Sequence, residues 1–194
     1  MKQATKLTLT GLTLLAIASS GFSAEHKPAG LRRAPDFTLP DYLGKTVSLK
    51  EFRGRIVLLQ FFQTACPACQ HEAPLLEEMY REYKDRGVAV MAVSHDPGGP
   101  EAVKEFAKKF NITFPLLMGD LEIAVRYIGI TPQQPSFDIP RFFLIDREGY
   151  IVRDIDATHD EGFLRDEKGT LEKAIEDLLG HPTLALEHMM SSSR

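Results

Sequence analysis

Residues 56–69 read Ile56-Val57-Leu58-Leu59-Gln60-Phe61-Phe62-Gln63-Thr64-Ala65-Cys66-Pro67-Ala68-Cys69, an apolar run that ends just before a Cys-x-x-Cys pair. A nearly continuous apolar stretch of that length reads as a central strand covered on both faces. After the pair the period becomes helical: Leu75, Leu76, Met79, Tyr80 and Tyr83 share a face, the pattern runs to about Arg86, and Gly87 stops it. The two cysteines therefore stand between a strand and a helix, which is a redox arrangement. The first sulfur sits exposed at the helix N-terminus and the second lies one turn in. Unpaired helical N–H groups and the positive end of the macrodipole favour a thiolate at the first position, and the thiolate is the nucleophile of disulfide exchange.

Other uses of the pair fit less well. Cys66 and Cys69 are the only cysteines in 194 residues. A structural zinc site wants four Cys/His ligands, and the six histidines are scattered. A purely structural disulfide closing so short a loop removes little chain entropy.

Working outward, the N-terminus reads as an export signal. Lys2 and Lys6 form a basic region, Leu7 to Ile17 an apolar one, and cleavage is expected around Gly21-Phe22-Ser23 or Ala24. The apolar run is short for a membrane span, which favours export over the alternative of an uncleaved N-terminal anchor. No cysteine sits there to carry a lipid. Export places the pair where disulfides persist and need dedicated enzymes. The segments are then a leader at 1–24, a flexible stretch at 25–34, one folded domain at 35–182 and a tail at 183–194. Removing Lys2 and Lys6 takes the formal charge from −4 to −6. A mildly acidic chain without a basic stripe gives no reason to expect nucleic acid.

Phe37-Thr38-Leu39 and Val47-Ser48-Leu49 alternate about Asp41-Tyr42-Leu43-Gly44 and predict a hairpin. Val88 to Val93 is a second buried strand, followed by a helix from Pro100 with Val103, Phe106, Ala107 and Phe110 aligned. Phe114 to Met118 predicts a short strand, and Leu121, Ala124, Val125 and Ile128 mark the apolar face of another helix. Residues 131–140 form a proline-rich loop. Phe142 to Ile145 and Ile151 to Ile155 flank Asp146-Arg147-Glu148-Gly149, a hairpin signal, and Leu171, Ala174, Ile175, Leu178 and Leu179 line a closing helix ended by Gly180. The sum is an α/β fold: a central mixed sheet flanked by helices, with an N-terminal hairpin extension.

The succession Ala34-Pro35-Asp36-Phe37, Phe61 to Cys69, Glu72-Ala73-Pro74 and Ile139-Pro140-Arg141-Phe142-Phe143-Leu144-Ile145-Asp146 resembles the TlpA/ResA-type thiol-disulfide oxidoreductases. These are exported members of the thioredoxin superfamily, within the redoxin (AhpC/TSA) group. The resemblance spans about residues 34–180 and implies a thioredoxin-like fold without a cofactor. It makes Cys66 the attacking thiol, Cys69 the resolving one and Pro140 a cis-proline facing them. Ala65, Pro67, Ile139 and Pro140 become substrate contacts, to which Arg141, with the loop 131–138, adds a rim atypical of the family. Glu72 is the glutamate that tunes thiol ionisation and proton handling, against the commoner fate of a solvated helix carboxylate. Gln60 stands where thioredoxin itself has a buried aspartate, and an amide cannot shuttle a proton. The implied partners are exported cysteine-containing proteins, with apocytochrome c an example, and a membrane thiol-disulfide electron donor. The direction implied is reductive.

The chain departs from the family at three places. Ala65 replaces the usual tryptophan, the loop 131–138 is longer, and Arg141 follows Pro140 where a small hydroxyl residue is common. A free Arg141 charge would favour an acidic partner, or the Cys66 thiolate if turned inward. Two other functions compete. A peroxiredoxin wants a threonine three residues before its cysteine, and that position is Gln63. A Sco-like copper protein would join two thiolates to a distant histidine such as His159, but its pair is spaced Cys-x-x-x-Cys. His71 and the tail cluster His188-Met189-Met190 are the remaining soft-ligand candidates.

Overall fold

The computed structural model describes residues 31–131, 133 and 137–180. The leader assigned to 1–24, residues 25–30 and the tail 183–194 with His188-Met189-Met190 lie outside the described residues. In chain order the elements are β1 (Thr38–Pro40), β2 (Thr46–Ser48), β3 (Ile56–Phe62), α1 (Pro67–Tyr83), β4 (Val88–Ser94), α2 (Gly99–Phe110) and β5 (Leu116–Met118). Then follow α3 (Leu121–Ile128), β6 (Arg141–Ile145), β7 (Ile151–Asp156), α4 (Glu161–Arg165) and α5 (Glu167–Gly180).

Every residue of β3 is buried, as its unbroken apolar run requires. It is the middle of a five-stranded sheet ordered β5-β4-β3-β6-β7, while β1 and β2 form a separate antiparallel hairpin. β3 and β4 run parallel with Ile56 opposite Val88 and Phe62 opposite Ser94, and β6 lies antiparallel on the other side with Phe61 opposite Arg141. The sheet is therefore mixed, with helices on both faces.

Strand alternation sorts the side chains into two cores. Ile56, Leu58 and Phe62 pack with Cys69, Ala73, Leu76 and Met79 of α1 and with residues of α2, α4 and α5. Val57, Leu59 and Phe61 face the hairpin and α3. On that side the Tyr127 ring lies 5.5 Å from Phe61 and 5.2 Å from Phe143, and its hydroxyl donates to Pro35 O at 2.9 Å. Tyr127→Phe keeps the packing and removes one hydrogen bond. We expect it to cost about 1 kcal/mol in urea denaturation, the ordinary net worth of such a bond; an unchanged midpoint would show that Pro35 O finds another donor.

The fold differs from the sequence expectation at a few elements. The face of α3 is Ile123, Ala124 and Tyr127, whereas Leu121 and Val125 are exposed; the gap over Phe61 and Phe143 takes the large Tyr127 ring, which rotates the helix away from the aliphatic reading. Residues 32–34, expected in a flexible segment, are paired: Ile151 N–H donates to Arg32 O, and Ala34 N–H to Gly149 O, with Ala34 buried. The short helix α4 is an addition to the expected elements. Its signal is Asp160, whose carboxylate accepts the Phe163 N–H as an N-cap while Phe163 plugs the core.

Candidate active site

β3 ends at Phe62 and α1 begins at Pro67, so four residues turn the chain from sheet to helix. Pro67 fits the first helical position, where a missing N–H costs nothing. Cys66 is the N-cap, and its Sγ accepts the Cys69 N–H at 3.2 Å, a role usually taken by a side-chain oxygen. Cys66 is half-buried beside the exposed Ala65, Pro67 and Ala68. Cys69 is 1% exposed. Both are free thiols. Burial pushes the Cys69 thiol well above its ordinary range; the bond to Cys66 and the charges of Cys66 and Glu72 add to this, and the Gln63 backbone opposes it. One sulfur is thus presented and the other is held back as a thiol.

Glu72 lies three residues beyond Cys69 on α1 and is 2% exposed. Gln60 shares the α1 side of β3, and its Nε2 donates to Glu72 Oε2 at 2.9 Å. Burial first, and then the Glu167 carboxylate, push the Glu72 carboxyl up to about 8, with the Gln60 bond working the other way. A carboxyl in that range exchanges protons close to neutral pH. It is a buried group, and the amide of Gln60 serves it as a donor.

The Ile139–Pro140 bond is cis, Pro140 is buried, and Ile139 O lies 3.8 Å from Cys66 Sγ. The loop residues closest to this turn in sequence, Phe137 and Asp138, are described; 132 and 134–136 are not. Arg141 corrects the expectation of a free charge. Its Nε sits 2.8 Å from Asp154 Oδ1 and its Nη1 3.5 Å from Asp156 Oδ2. The β6–β7 register sets Asp156 opposite Arg141, so the guanidinium is neutralised within the hairpin. It points to the sheet face of Phe143, 6.0 Å from that ring, away from the α1 side.

The histidines proposed as copper ligands are engaged elsewhere. His71 Nε2 lies 3.3 Å from Glu167 Oε2, and His159 Nδ1 lies 3.3 Å from Asp156 Oδ1. Among the described residues, Asp138, Asp156 and His159 are the one convergent group of His, Cys or acidic side chains, and neither cysteine belongs to it. At the position where a peroxidase wants threonine, the Gln63 amide donates to His95 O at 3.1 Å.

Sequence reasoning passed over His95 and Asp96. The β3–β4 register brings them against residues 62–64: His95 N–H donates to Phe62 O at 3.2 Å, and Asp96 Oδ2 accepts the Thr64 N–H at 2.7 Å. The His95 ring stacks on Phe61 and meets Phe137 edge-on. Its buried Nε2 has no hydrogen-bond partner among the described residues. Burial lowers its basicity, with Asp120 opposing. A parallel pairing of the two apolar runs was the available signal for both residues.

Two thiols at this spacing can cycle between dithiol and disulfide, passing two electrons to or from a second disulfide. Comparison with known proteins agrees with that chemistry. Residues 31–154 match the AhpC/TSA family. The chain is 33% identical to the thiol-disulfide oxidoreductase ResA of Bacillus cereus over 149 residues, covering 77% of this chain and 82% of that one. To ResA of Geobacillus thermodenitrificans it is 32% identical over 167 residues, 81% and 91% of the two chains. The thioredoxin domain of a thiol-disulfide oxidoreductase from Bacteroides vulgatus superposes with a TM-score of 0.60 at 26% identity, covering 74% of this chain and 96% of that one. With the fold, the paired cysteines and relatives of this kind in agreement, the chain belongs to the AhpC/TSA family and is a thioredoxin-like thiol-disulfide oxidoreductase of the ResA/TlpA type.

Proposed function

We propose that this protein is exported and reduces disulfides in other exported, cysteine-containing proteins, apocytochrome c among the candidates. Cys66 attacks the partner's disulfide and forms a mixed disulfide; Cys69 then attacks Cys66 Sγ, releasing the partner's second sulfur and leaving the Cys66–Cys69 disulfide. The partner gains two electrons and the pair loses two, which a membrane thiol donor restores. Ile139 O, beside Cys66, offers a backbone acceptor to a partner segment lying extended across Pro140, with Ala65 and Pro67 at its rim. Arg141 shapes this turn through its hairpin ion pairs and offers no free charge. Glu72 takes the proton that Cys69 must lose. The basic and apolar pattern from Lys2 to Ile17 supports export, with 35–182 as the working domain.

The observation that carries the reductive direction is the set of contacts around Cys66. A strong oxidant of this superfamily owes its potential to a reduced form whose attacking thiolate is stabilised. Here, among the described residues, the contacts of Cys66 Sγ are the Cys69 N–H and Ile139 O, with no basic side chain among them. Equilibration with thiol–disulfide buffers tests the direction. We expect a Cys66–Cys69 potential below about −200 mV, toward the range of reducing dithiols. A value near that of the strong oxidants would overturn the reading.

A further inference from the structure

We propose that Asp96 is a positioning residue of the reaction, holding through Thr64 the turn that aims Cys66 Sγ at its partner. Thr64 leaves β3 before α1 has begun, so its N–H has neither a ladder nor a helical acceptor. Asp96 Oδ2 supplies one at 2.7 Å and also accepts the Thr64 hydroxyl. The other oxygen, Oδ1, accepts the Gly98 N–H at 2.8 Å, while the Asp96 N–H donates to Ser94 Oγ at 3.1 Å. The carboxylate is therefore clamped at both ends, tying the end of β4 to a residue two places before the reacting sulfur. Burial works against its charge, but the bonds from Thr64 and Gly98 prevail and hold the carboxyl below the usual range.

The rest of the turn is fastened in the same way. Gln70 Nε2 donates to Thr64 O at 2.8 Å, and Lys109 Nζ donates to Gln70 Oε1 at 2.9 Å, which anchors the turn to α2. Cys66 N–H donates to Gln63 O at 3.2 Å. Thr64 is thus held on its N–H, hydroxyl and carbonyl together, and two of the three run to Asp96. A misplacement of the reacting sulfur by a fraction of an ångström suffices to slow an in-line attack on a disulfide. The ordinary alternative is that Asp96 only shapes its own turn, in which Gly99 N–H donates to Asp96 O at 3.1 Å. Its Oδ2, which reaches across to Thr64, serves no purpose in that turn.

The proposal rests on Cys66 as the attacking thiol, and the experiment separates the two. The reduced full-length protein reacts with 4,4′-dithiodipyridine, an uncharged disulfide, so that loss of the Asp96 charge does not itself alter the encounter. Asp96→Asn keeps the size but cannot serve Thr64 and Gly98 with two acceptor oxygens. We expect it to slow the reaction about tenfold, and Thr64→Val, which removes only the hydroxyl, about threefold. Thr64→Ser restores most of the rate, and the double variant Asp96→Asn/Thr64→Val is no slower than Asp96→Asn alone, since one contact carries both effects. If Asp96→Asn fails to fold, the Thr64→Val and Thr64→Ser pair decides. Rates within twofold of wild type for folded Asp96→Asn, or equal rates for the two Thr64 variants, overturn the proposal. Labelling of Cys69 before Cys66 in the wild type overturns the assignment of the attacking thiol instead.

Discussion

Cys69→Ser should leave a protein that captures its partners and does not release them, and Cys66→Ser one that captures none. Cys66 is half-buried at a rim of small exposed residues, whereas Cys69 is 1% exposed. A partner disulfide can therefore reach only the first sulfur. Once the mixed disulfide has formed, Cys69 attacks from within the same helical turn, and its N–H already touches Cys66 Sγ at 3.2 Å. Replacing this intramolecular step by attack of a dissolved thiol should slow release by on the order of 100-fold or more. Non-reducing electrophoresis with a disulfide-containing model protein measures the trapped adduct. Iodoacetamide labelling of the reduced wild type at pH 6, followed by peptide mapping, should mark Cys66, because Cys69 is both enclosed and pushed toward its thiol form. Equal adduct yields from the two serine variants would sink the division of roles.

How much of this was legible in the sequence depends on how far apart the interacting residues lie. The run Ile56 to Phe62 followed by Cys66-Pro67-Ala68-Cys69 carries its own context, because a buried strand and a helix N-terminus are local patterns. The spacing of Glu72 from Cys69 is helical arithmetic, and it places the carboxyl near the second sulfur. Its burial was not legible: that depends on Gln60, on the β3 face beneath α1, and on the Glu167 end of α5, both distant in sequence. The partners of Arg141 are not legible from its own position. The registration of β6 on β7 sets Asp156 opposite it and gives its charge an ion-pair partner within the hairpin. Asp96 and Thr64, 32 residues apart, meet through a parallel pairing that no local period announces.

Glu72→Gln should remove a large part of the pH dependence of stability and uncouple resolution from pH. The unfolded glutamate titrates near 4.5, and the folded one is raised to about 8, chiefly by burial and then by Glu167. Between those values the folded protein holds a proton that the unfolded chain has released, so stability falls as pH rises. The stabilising contribution is fully present below about 4.5 and is lost as pH climbs through about 8. At roughly 1.4 kcal/mol per pH unit for a single proton, the loss amounts to a few kcal/mol across this window. Glutamine retains an oxygen for Gln60 Nε2 and carries no charge. The variant should therefore match wild type near pH 5 and exceed it by on the order of 3 kcal/mol near pH 9, in urea denaturation of the dithiol form. The chemistry should change in the opposite sense. Cys69 must shed a proton as it attacks Cys66, and in the proposed mechanism ionised Glu72, whose charge bears on Cys69, receives it. In wild type the resolution step should accelerate as pH passes through about 8, whereas in Glu72→Gln that rise disappears and the step falls behind wild type as pH increases. Parallel stability curves together with identical resolution profiles would mean that Glu72 neither stores nor transfers the proton.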